Sequence, residues 1–223
     1  MSLSPIKLEI LQSMLLLDKP MKAMDIAKDA HKEFQPVMMH LLGLQRMGYV
    51  SSPEKGLYVI TAAGKKALGI PEITKEKATS ILAYAPHDKS FHFYATVGKP
   101  LSMHAHNLRD FVGKIEKADI ISVEFHFKRG DFENWFKGLG DEELVKKTAL
   151  LKQRNVSGEA LRKQLHDIVE QRYRELAQLT GQVFPEDQAA PENEHVHAHT
   201  HEDGQTHEHP HTHPHGGHMH NHS

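Results

Sequence analysis

The chain has 223 residues, a formal net charge of −2, 39% hydrophobic residues and no cysteine. The absence of cysteine excludes disulfides and thiolate metal ligands, and it is typical of a reducing compartment. No apolar run reaches membrane-spanning length, and no signal peptide is evident, so we expect a cytoplasmic protein without a membrane partner.

Charge and composition divide the chain into three parts. Residues 1–75 carry 10 lysines and arginines against 7 acidic residues, and residues 76–180 carry 17 against 15. Residues 181–223 carry 7 acidic residues and neither lysine nor arginine. The mildly basic first part permits nucleic-acid binding but does not require it.

The first part alternates short amphipathic helices with short strands. Apolar spacing predicts, in chain order, helices at 5–17, 23–30 and 35–47, strands at 49–51 and 57–60, and a further helix after residue 61. Pro36 suits the first turn of the third helix, Gly48 ends that helix, and Thr61 is the expected cap of the last one. This order is typical of a winged helix-turn-helix domain.

The segment VMMHLLGLQRMGYV, residues 37–50, resembles the third helix and the start of the wing in ArsR- and MarR-type regulators. The positions that match the family spacing are Val37, His40, Leu41, Leu44, Gly48 and Val50. The resemblance implies a winged-helix DNA-binding domain at residues 1–75, whose third helix enters the major groove of double-stranded DNA.

The same resemblance implies a set of DNA-binding residues on and around the third helix. These are Lys32, Gln35, Met38, Met39, His40, Arg46 and Lys55. Gln35 could read an adenine edge, Lys32 and Arg46 could hold phosphates, and Lys55 lies at the tip of the wing.

Three apolar residues depart from this family pattern. Met38, Met39 and Leu42 face outward on the predicted helix, where regulators usually carry polar or basic side chains. Apolar residues on a surface favour a protein contact, with the second domain or with a dimer mate. A winged helix used only for protein interaction is therefore the alternative.

Residues 76–180 predict a second, small α+β domain. Its expected elements are a strand at 91–97, a helix at 102–117, a strand at 120–127, a helix at 141–152 and a long helix at 157–179. The strings FHFYATVGKPL and SVEFHFKRGDFENWF resemble an uncharacterised domain that follows a winged helix in a set of archaeal proteins. The resemblance implies an architecture and leaves the chemistry open. In a regulator this domain would dimerise or sense a ligand, and we expect a homodimer.

Two groups of residues in this domain could bind small ligands. His126, Arg129 and Asp131 form a candidate ligand pocket, in which Arg129 would bind a carboxylate or phosphate. The structural alternative makes Asp131 a helix cap and pairs Arg129 with an acidic residue such as Glu124.

The second group is a candidate metal site of His92, His104, His106 and His126. On the predicted helix from residue 102, His104 and His106 would point about 200° apart. They could serve one ion only if that helix began later.

The tail, residues 181–223, is predicted to be disordered and consists of a linker followed by a His-rich metal-binding segment. Twelve of the 20 histidines lie in the last 29 residues, alternating with small or polar residues unlike the contiguous block of a purification tag. The expected metal ligands are His195, His197, His199, His201, His207, His209, His211, His213, His215, His218, His220 and His222. Imidazole suits a divalent transition metal, Ni²⁺ or Zn²⁺.

The sequence contains no nucleophile elbow, phosphate-binding loop or zinc-protease motif, and we expect no enzymatic activity. It predicts a winged-helix DNA-binding transcriptional regulator that responds to Ni²⁺ or Zn²⁺ through its tail. The alternative function is a metal-storage or metal-delivery protein whose winged helix makes protein contacts. A metabolite-binding module is a third hypothesis, based on the candidate ligand pocket.

Overall fold

The computed structural model describes residues 3–182 and two later strands, residues 195–200 and 206–211. The chain divides into two compact units, Met1–Gln182 and Val183–Ser223. The first unit combines helices with small antiparallel sheets, which confirms the predicted α+β class. None of the described helices has the length and apolar composition needed to cross a membrane.

The helices described between residues 3 and 182 are α1 (Pro5–Leu17), α2 (Ala23–Asp29), α3 (Phe34–Arg46), α4 (Ala62–Ala67), α5 (Lys75–Leu82), α6 (Leu108–Lys117), α7 (Ile120–Arg129), α8 (Asp131–Leu139), α9 (Glu142–Gln153) and α10 (Gly158–Thr180). The described strands are β1 (Met21–Lys22), β2 (Val50–Ser51), β3 (Leu57–Ile60), β4 (Phe91–Thr96), β5 (Lys99–Ala105), β6 (His195–Thr200) and β7 (Thr206–His211). A 3₁₀ turn, His87–Lys89, precedes β4.

The strands pair antiparallel, in the orders β1-β3-β2, β4-β5 and β6-β7. The elements from α1 to α4 lie within a residue or two of the predicted bounds, and β1 is an addition to them. α3 buries Val37, Leu41 and Leu44 completely, as its apolar spacing predicts. The Thr61 hydroxyl caps α4 by accepting a hydrogen bond from the Gly64 amide at 3.1 Å.

β4 pairs with β5 in a hairpin that the sequence did not predict, because residues 102–105 at the end of β5 were predicted to begin a helix. The chain reverses at Gly98, whose φ of 74° is a left-handed conformation that glycine adopts readily. α6 begins only at Leu108, after the Asn107 side chain accepts a hydrogen bond from the Asp110 amide at 2.8 Å. The predicted helix from residue 102 was therefore placed six residues too early.

The predicted strand at 120–127 is wrong, because these residues form α7. The Asp119 carboxylate caps the helix by accepting a hydrogen bond from the Ile121 amide at 2.8 Å. The buried residues of α7 are Ser122, Val123, His126 and Phe127, which recur at helical spacing. Its β-branched and aromatic residues favoured a strand, and the local cap together with burial of one helical face overrode that preference.

An aromatic core joins β4, α6 and α8. Its buried rings belong to Phe91, Phe93, Phe111, Phe132 and Phe136. Phe91 meets Phe93 edge-on at a centroid distance of 4.9 Å, and Phe111 meets Phe136 edge-on at 5.5 Å. This core fixes the hairpin against the helices and thereby sets the position of the histidines on both strands.

A network of charged side chains lies where α1, α4, α9 and α10 converge. Its members are Asp18, Lys65, Asp141, Glu143, Lys147, Arg172 and Glu175. Asp18 follows α1 with a left-handed φ of 40°, and its carboxylate accepts from Lys65 at 2.8 Å and from Lys147 at 2.7 Å. The side chain of Lys147 is only 1% exposed, so its ammonium group depends on these carboxylates for compensation.

Arg172 forms the other half of this network. Its guanidinium donates to the Asp141 carboxylate at 2.8 Å and to the Glu143 carboxylate at 2.9 Å. The second oxygen of Asp141 caps α9 by accepting from the amides of Glu143 and Leu144. Burial by itself raises the pKa of Glu143, but the charges of Lys147, Arg172 and Lys65 outweigh it, and the net pKa is well below the usual value.

The boundary predicted between residues 75 and 76 lies at the first residue of α5, inside the first unit. Ion pairs join the chain before and after this point. Besides Asp18 and Lys147, the Asp29 carboxylate accepts from the Arg154 guanidinium at 2.8 Å. Buried apolar residues also form one cluster that extends from α1 to α10. The two parts share a core.

β6 and β7 lie within the tail that the sequence predicts to be disordered. Their register pairs His195 with His211, His197 with His209 and His199 with His207. The alternation of residue types in this segment matches the period of a strand, which the predicted disorder did not take into account.

Replacing the network arginine, Arg172→Met, should lower the free energy of unfolding by about 3–5 kcal/mol, because it leaves the buried Asp141 carboxylate without a cation. Urea denaturation at neutral pH measures the change. The matched control is Lys163→Met, which removes an exposed pair with Asp167 and should cost less than about 1 kcal/mol. Equal effects of the two substitutions would contradict the role given to the network.

The free energy of unfolding should also depend on pH through Glu143. Since the folded-state pKa of this group is depressed, its contribution is fully present above the unfolded value of 4.5 and is lost as the pH falls toward the folded value. The difference in stability between wild type and Glu143→Gln should therefore narrow by up to about 1.4 kcal/mol per pH unit below that point. Urea titrations from neutral pH downward test this, and a constant difference would refute it.

Candidate functional site

The side of α3 that faces away from the core is exposed. Met39 is 74% exposed and Leu42 is 40% exposed, and Gln35 is exposed in the first turn. A groove of about 500 Å³ runs along this side and is lined by Ser4, Lys7, Gln35, Pro36, Met39, His40 and Gly43. The outer side of α3 is therefore accessible within residues 3–182.

Basic residues flank this surface. Lys32 precedes α3 and pairs with Glu9 of α1 at 2.8 Å, while both side chains remain partly exposed. Arg46 in the last turn of α3 and Lys55 in the β2-β3 turn are exposed. The three cationic side chains lie before the helix, at its end and on the adjacent hairpin.

Met38 does not share this exposure. It is half-buried against the core, and its sulfur accepts a hydrogen bond from the Tyr58 hydroxyl of β3 at 3.7 Å. His40 is also half-buried. The outward orientation predicted for Met38 is corrected accordingly, because Met38 fixes α3 to the hairpin.

The candidate ligand pocket is organised around His126 of α7. A backbone amide can only donate, and Tyr94 donates its amide proton to Nε2 of His126 at 2.8 Å. Nδ1 of His126 therefore carries the proton and donates to the Asp131 carboxylate at 2.7 Å. Burial lowers the pKa of His126 although Asp131 opposes this shift, and a lowered pKa favours the neutral ring that accepts at Nε2.

Arg129 also pairs with Asp131, at 3.1 Å, rather than with Glu124 as the structural alternative proposed. Glu124 instead pairs with Lys128 and accepts a hydrogen bond from the Gly158 amide. Asp131 is not a cap, because it is the first residue of α8 and forms no capping hydrogen bond. Its carboxylate is occupied by Arg129 and His126.

A cavity of about 360 Å³ adjoins these residues, between β4 and the end of α7. The Arg129 guanidinium lies 5.0 Å from the Phe125 ring centre and is 52% exposed. Because His126 and Asp131 satisfy each other, their arrangement fits a structural joint between β4, α7 and α8 better than a ligand site.

A different group of histidines converges at the end of the β4-β5 hairpin that lies away from its turn. Its members are His87, His92, His104 and His106. His92 and His104 are opposite each other in the hairpin register, and His87 belongs to the 3₁₀ turn before β4. Burial, followed by the neighbouring imidazoles, lowers the pKa of His104.

Three of the four histidines of the candidate metal site are thus brought together, and His126 is not among them. His87 was missed by sequence reasoning because the residues before β4 have no periodic pattern. Because α6 starts only at Leu108, the chain is extended at His104, and the side chains of His104 and His106, two residues apart, lie on the same side of it.

The predicted tail ligands fall into two groups. His195, His197, His199, His207, His209 and His211 belong to β6 and β7, for which the structure describes the backbone. His201, His213, His215, His218, His220 and His222 lie outside the described residues.

Comparison with known proteins identifies similarity for the middle of the chain. Residues 70–170 match a family of unknown function (DUF5752). The match extends from the residues before α5 into α10 and includes the histidine group and His126. No curated protein and no solved structure matches the chain.

The joint at His126 predicts a loss of stability on substitution. His126→Leu removes the acceptor of the Tyr94 amide and the donor to Asp131, and should lower the free energy of unfolding by about 1–3 kcal/mol. Urea denaturation measures this, with the exposed His31→Asn as the control, because asparagine tolerates the left-handed φ of 52° at that position. An unchanged stability would restore the ligand-site interpretation.

Proposed function

We propose that this protein is a DNA-binding transcriptional regulator, with a winged helix-turn-helix at residues 1–75. The observation that carries the proposal is the accessible outer side of α3, on which Gln35 and Arg46 are exposed. The order of α1, α2, α3 and the β2-β3 hairpin, with cationic residues on either side of α3, supports it.

The dimensions of α3 suit a major groove. Its 13 residues span about 20 Å, and a helix with its side chains is about as wide as the groove of B-form DNA. In this arrangement Gln35 reads a base edge, Lys32 and Arg46 hold phosphates, and Lys55 on the hairpin contacts the backbone or minor groove.

The remaining parts of the chain complete the proposal. The domain at residues 76–180 dimerises or senses a ligand, and the tail binds Ni²⁺ or Zn²⁺ through its histidines. Metal can control DNA binding only if metal-bound and metal-free forms of the protein differ in their affinity for DNA. The proposal includes the resemblance to archaeal regulators of the ArsR or MarR type.

The exposure of Met39 and Leu42 favours a second candidate function. Exposed apolar residues on α3 suit a protein partner, as in a metal-storage or metal-delivery protein. In that case Met39→Glu would abolish binding of the partner protein, whereas nucleic acid would not bind specifically.

Fluorescence anisotropy with the duplex upstream of the protein's own gene, compared with an unrelated duplex, tests the proposal. Arg46→Ala and Lys55→Ala should each weaken binding to both duplexes on the order of tenfold, because each removes a charged contact to phosphate. The slope of log affinity against log salt should fall by about 0.9 for each. Gln35→Ala should instead reduce the preference for the upstream duplex.

The control is Lys163→Ala, which removes a comparably exposed cation from α10. It should leave both the affinity and the salt dependence unchanged. The proposal fails if no duplex binds at low salt, or if Arg46→Ala and Lys55→Ala behave like Lys163→Ala.

A further inference from the structure

We propose that His87, His104 and His106 form a binding site for one divalent transition metal ion, separate from the histidines of the tail. The coordinating nitrogens of these three residues all lie within 4.8 Å of one another. The site belongs to the first unit, and it does not depend on the proposed DNA binding.

The hairpin explains why these side chains converge. His104 is in β5 and His106 directly follows it, two residues further on and therefore on the same side of the chain. The 3₁₀ turn brings His87 to the same side, with ring centres 5.0 Å from His104 and 6.2 Å from His106. The ring centres of His104 and His106 are 5.2 Å apart.

These separations are close to those of a bound site. A tetrahedral ion with bonds of 2.0–2.1 Å holds its ligand nitrogens about 3.3 Å apart. The nitrogens are at most 4.8 Å apart here, and rotation of the three side chains would bring them to that distance when an ion binds. His87 is exposed and the other two are half-buried, so the group is open to solvent.

Outer contacts prepare His106 to bind. The carbonyl oxygen of Ala85 accepts a hydrogen bond from Nδ1 of His106 at 2.9 Å, and since a carbonyl cannot donate, Nδ1 carries the proton. Nε2 of His106 therefore keeps its lone pair for an ion. The Ala85 amide in turn donates to the His106 carbonyl at 2.7 Å, and the Tyr84 ring stacks on the imidazole at 4.3 Å.

His92 acts as a positioning residue for His87. Its Nε2 lies 2.9 Å from the His87 carbonyl oxygen and must donate to it, so this nitrogen is not a ligand. The Ser90 hydroxyl donates to the same carbonyl at 2.8 Å. Both contacts hold the 3₁₀ turn against β4 and keep His87 beside His104.

The ligand set selects the class of ion. Three neutral imidazoles suit zinc, nickel, copper or cobalt and do not suit magnesium or calcium, which prefer oxygen ligands. Three protein ligands leave a coordination position for water or for a small anion. We assign the site to zinc, because zinc commonly binds three protein ligands and one water molecule. The test compares nickel directly with zinc.

The test uses the full-length chain with its twelve tail histidines changed to glutamine, so that zinc uptake reports the remaining eight histidines. Equilibrium dialysis at neutral pH should give one zinc ion per chain. His87→Gln and His104→Gln should each reduce the affinity at least tenfold. The exposed His31→Asn, far from the hairpin in sequence, is the control and should leave the uptake unchanged.

A second measurement separates specific binding from weak surface binding. Zinc should raise the melting temperature of the tail-substituted chain, because the site joins the 3₁₀ turn to β5, and His87→Gln should abolish the rise. Cobalt in place of zinc should give the strong visible absorption of a four-coordinate ion, and nickel competes in the same titration. Since His87 is exposed, its substitution leaves the core intact.

The proposal is overturned if the tail-substituted chain takes up no zinc. It is equally overturned if neither His87→Gln nor His104→Gln, each made singly, reduces the zinc affinity. It is also overturned if the melting temperature rises equally with and without His87.

Discussion

The buried ion network holds the first unit together. Asp18 lies between the ammonium groups of Lys65 and Lys147, and Arg172 spans Asp141 and Glu143. Three cationic side chains face four carboxylates. Burial, together with the charges of Asp18 and Glu143, raises the pKa of Glu175 although Lys147 and Lys65 act in the opposite direction. The raised pKa favours protonation of Glu175, which is the most exposed carboxylate of the group, and protonation there would reduce the excess of negative charge.

The periodic parts of the fold could be predicted from the sequence, but the network could not. α1, α3 and α10 each have an apolar stripe with a recognisable beginning, and their bounds differ little from prediction. Asp18 and Lys147 are 129 residues apart, and each residue type is ordinary on a surface helix. α7 was mistaken for a strand because residue preference outweighed an inconspicuous aspartate cap.

The candidate sites could likewise be predicted from the sequence only where their residues lie on a periodic element. The exposed face of α3 follows from helical spacing, which correctly separated Val37 and Leu41 from Met39 but placed Met38 on the wrong side. The group of His87, His104 and His106 depends on a hairpin and on a turn without periodicity, so the sequence suggested only part of it. His126 was predicted to line a ligand pocket because Arg129 and Asp131 lie close in sequence, but Asp131 is its hydrogen-bond partner within the fold.

The salt-bridged contact between Asp29 and Arg154 has a mechanical consequence. Together with the pair of Asp18 and Lys147, it connects the ends of α1 and α2 to α9 at two separate points. A hinge between these helices would expose several desolvated charges at once. Movement of α1 or α2 relative to α9 would therefore require both of these ion pairs to break.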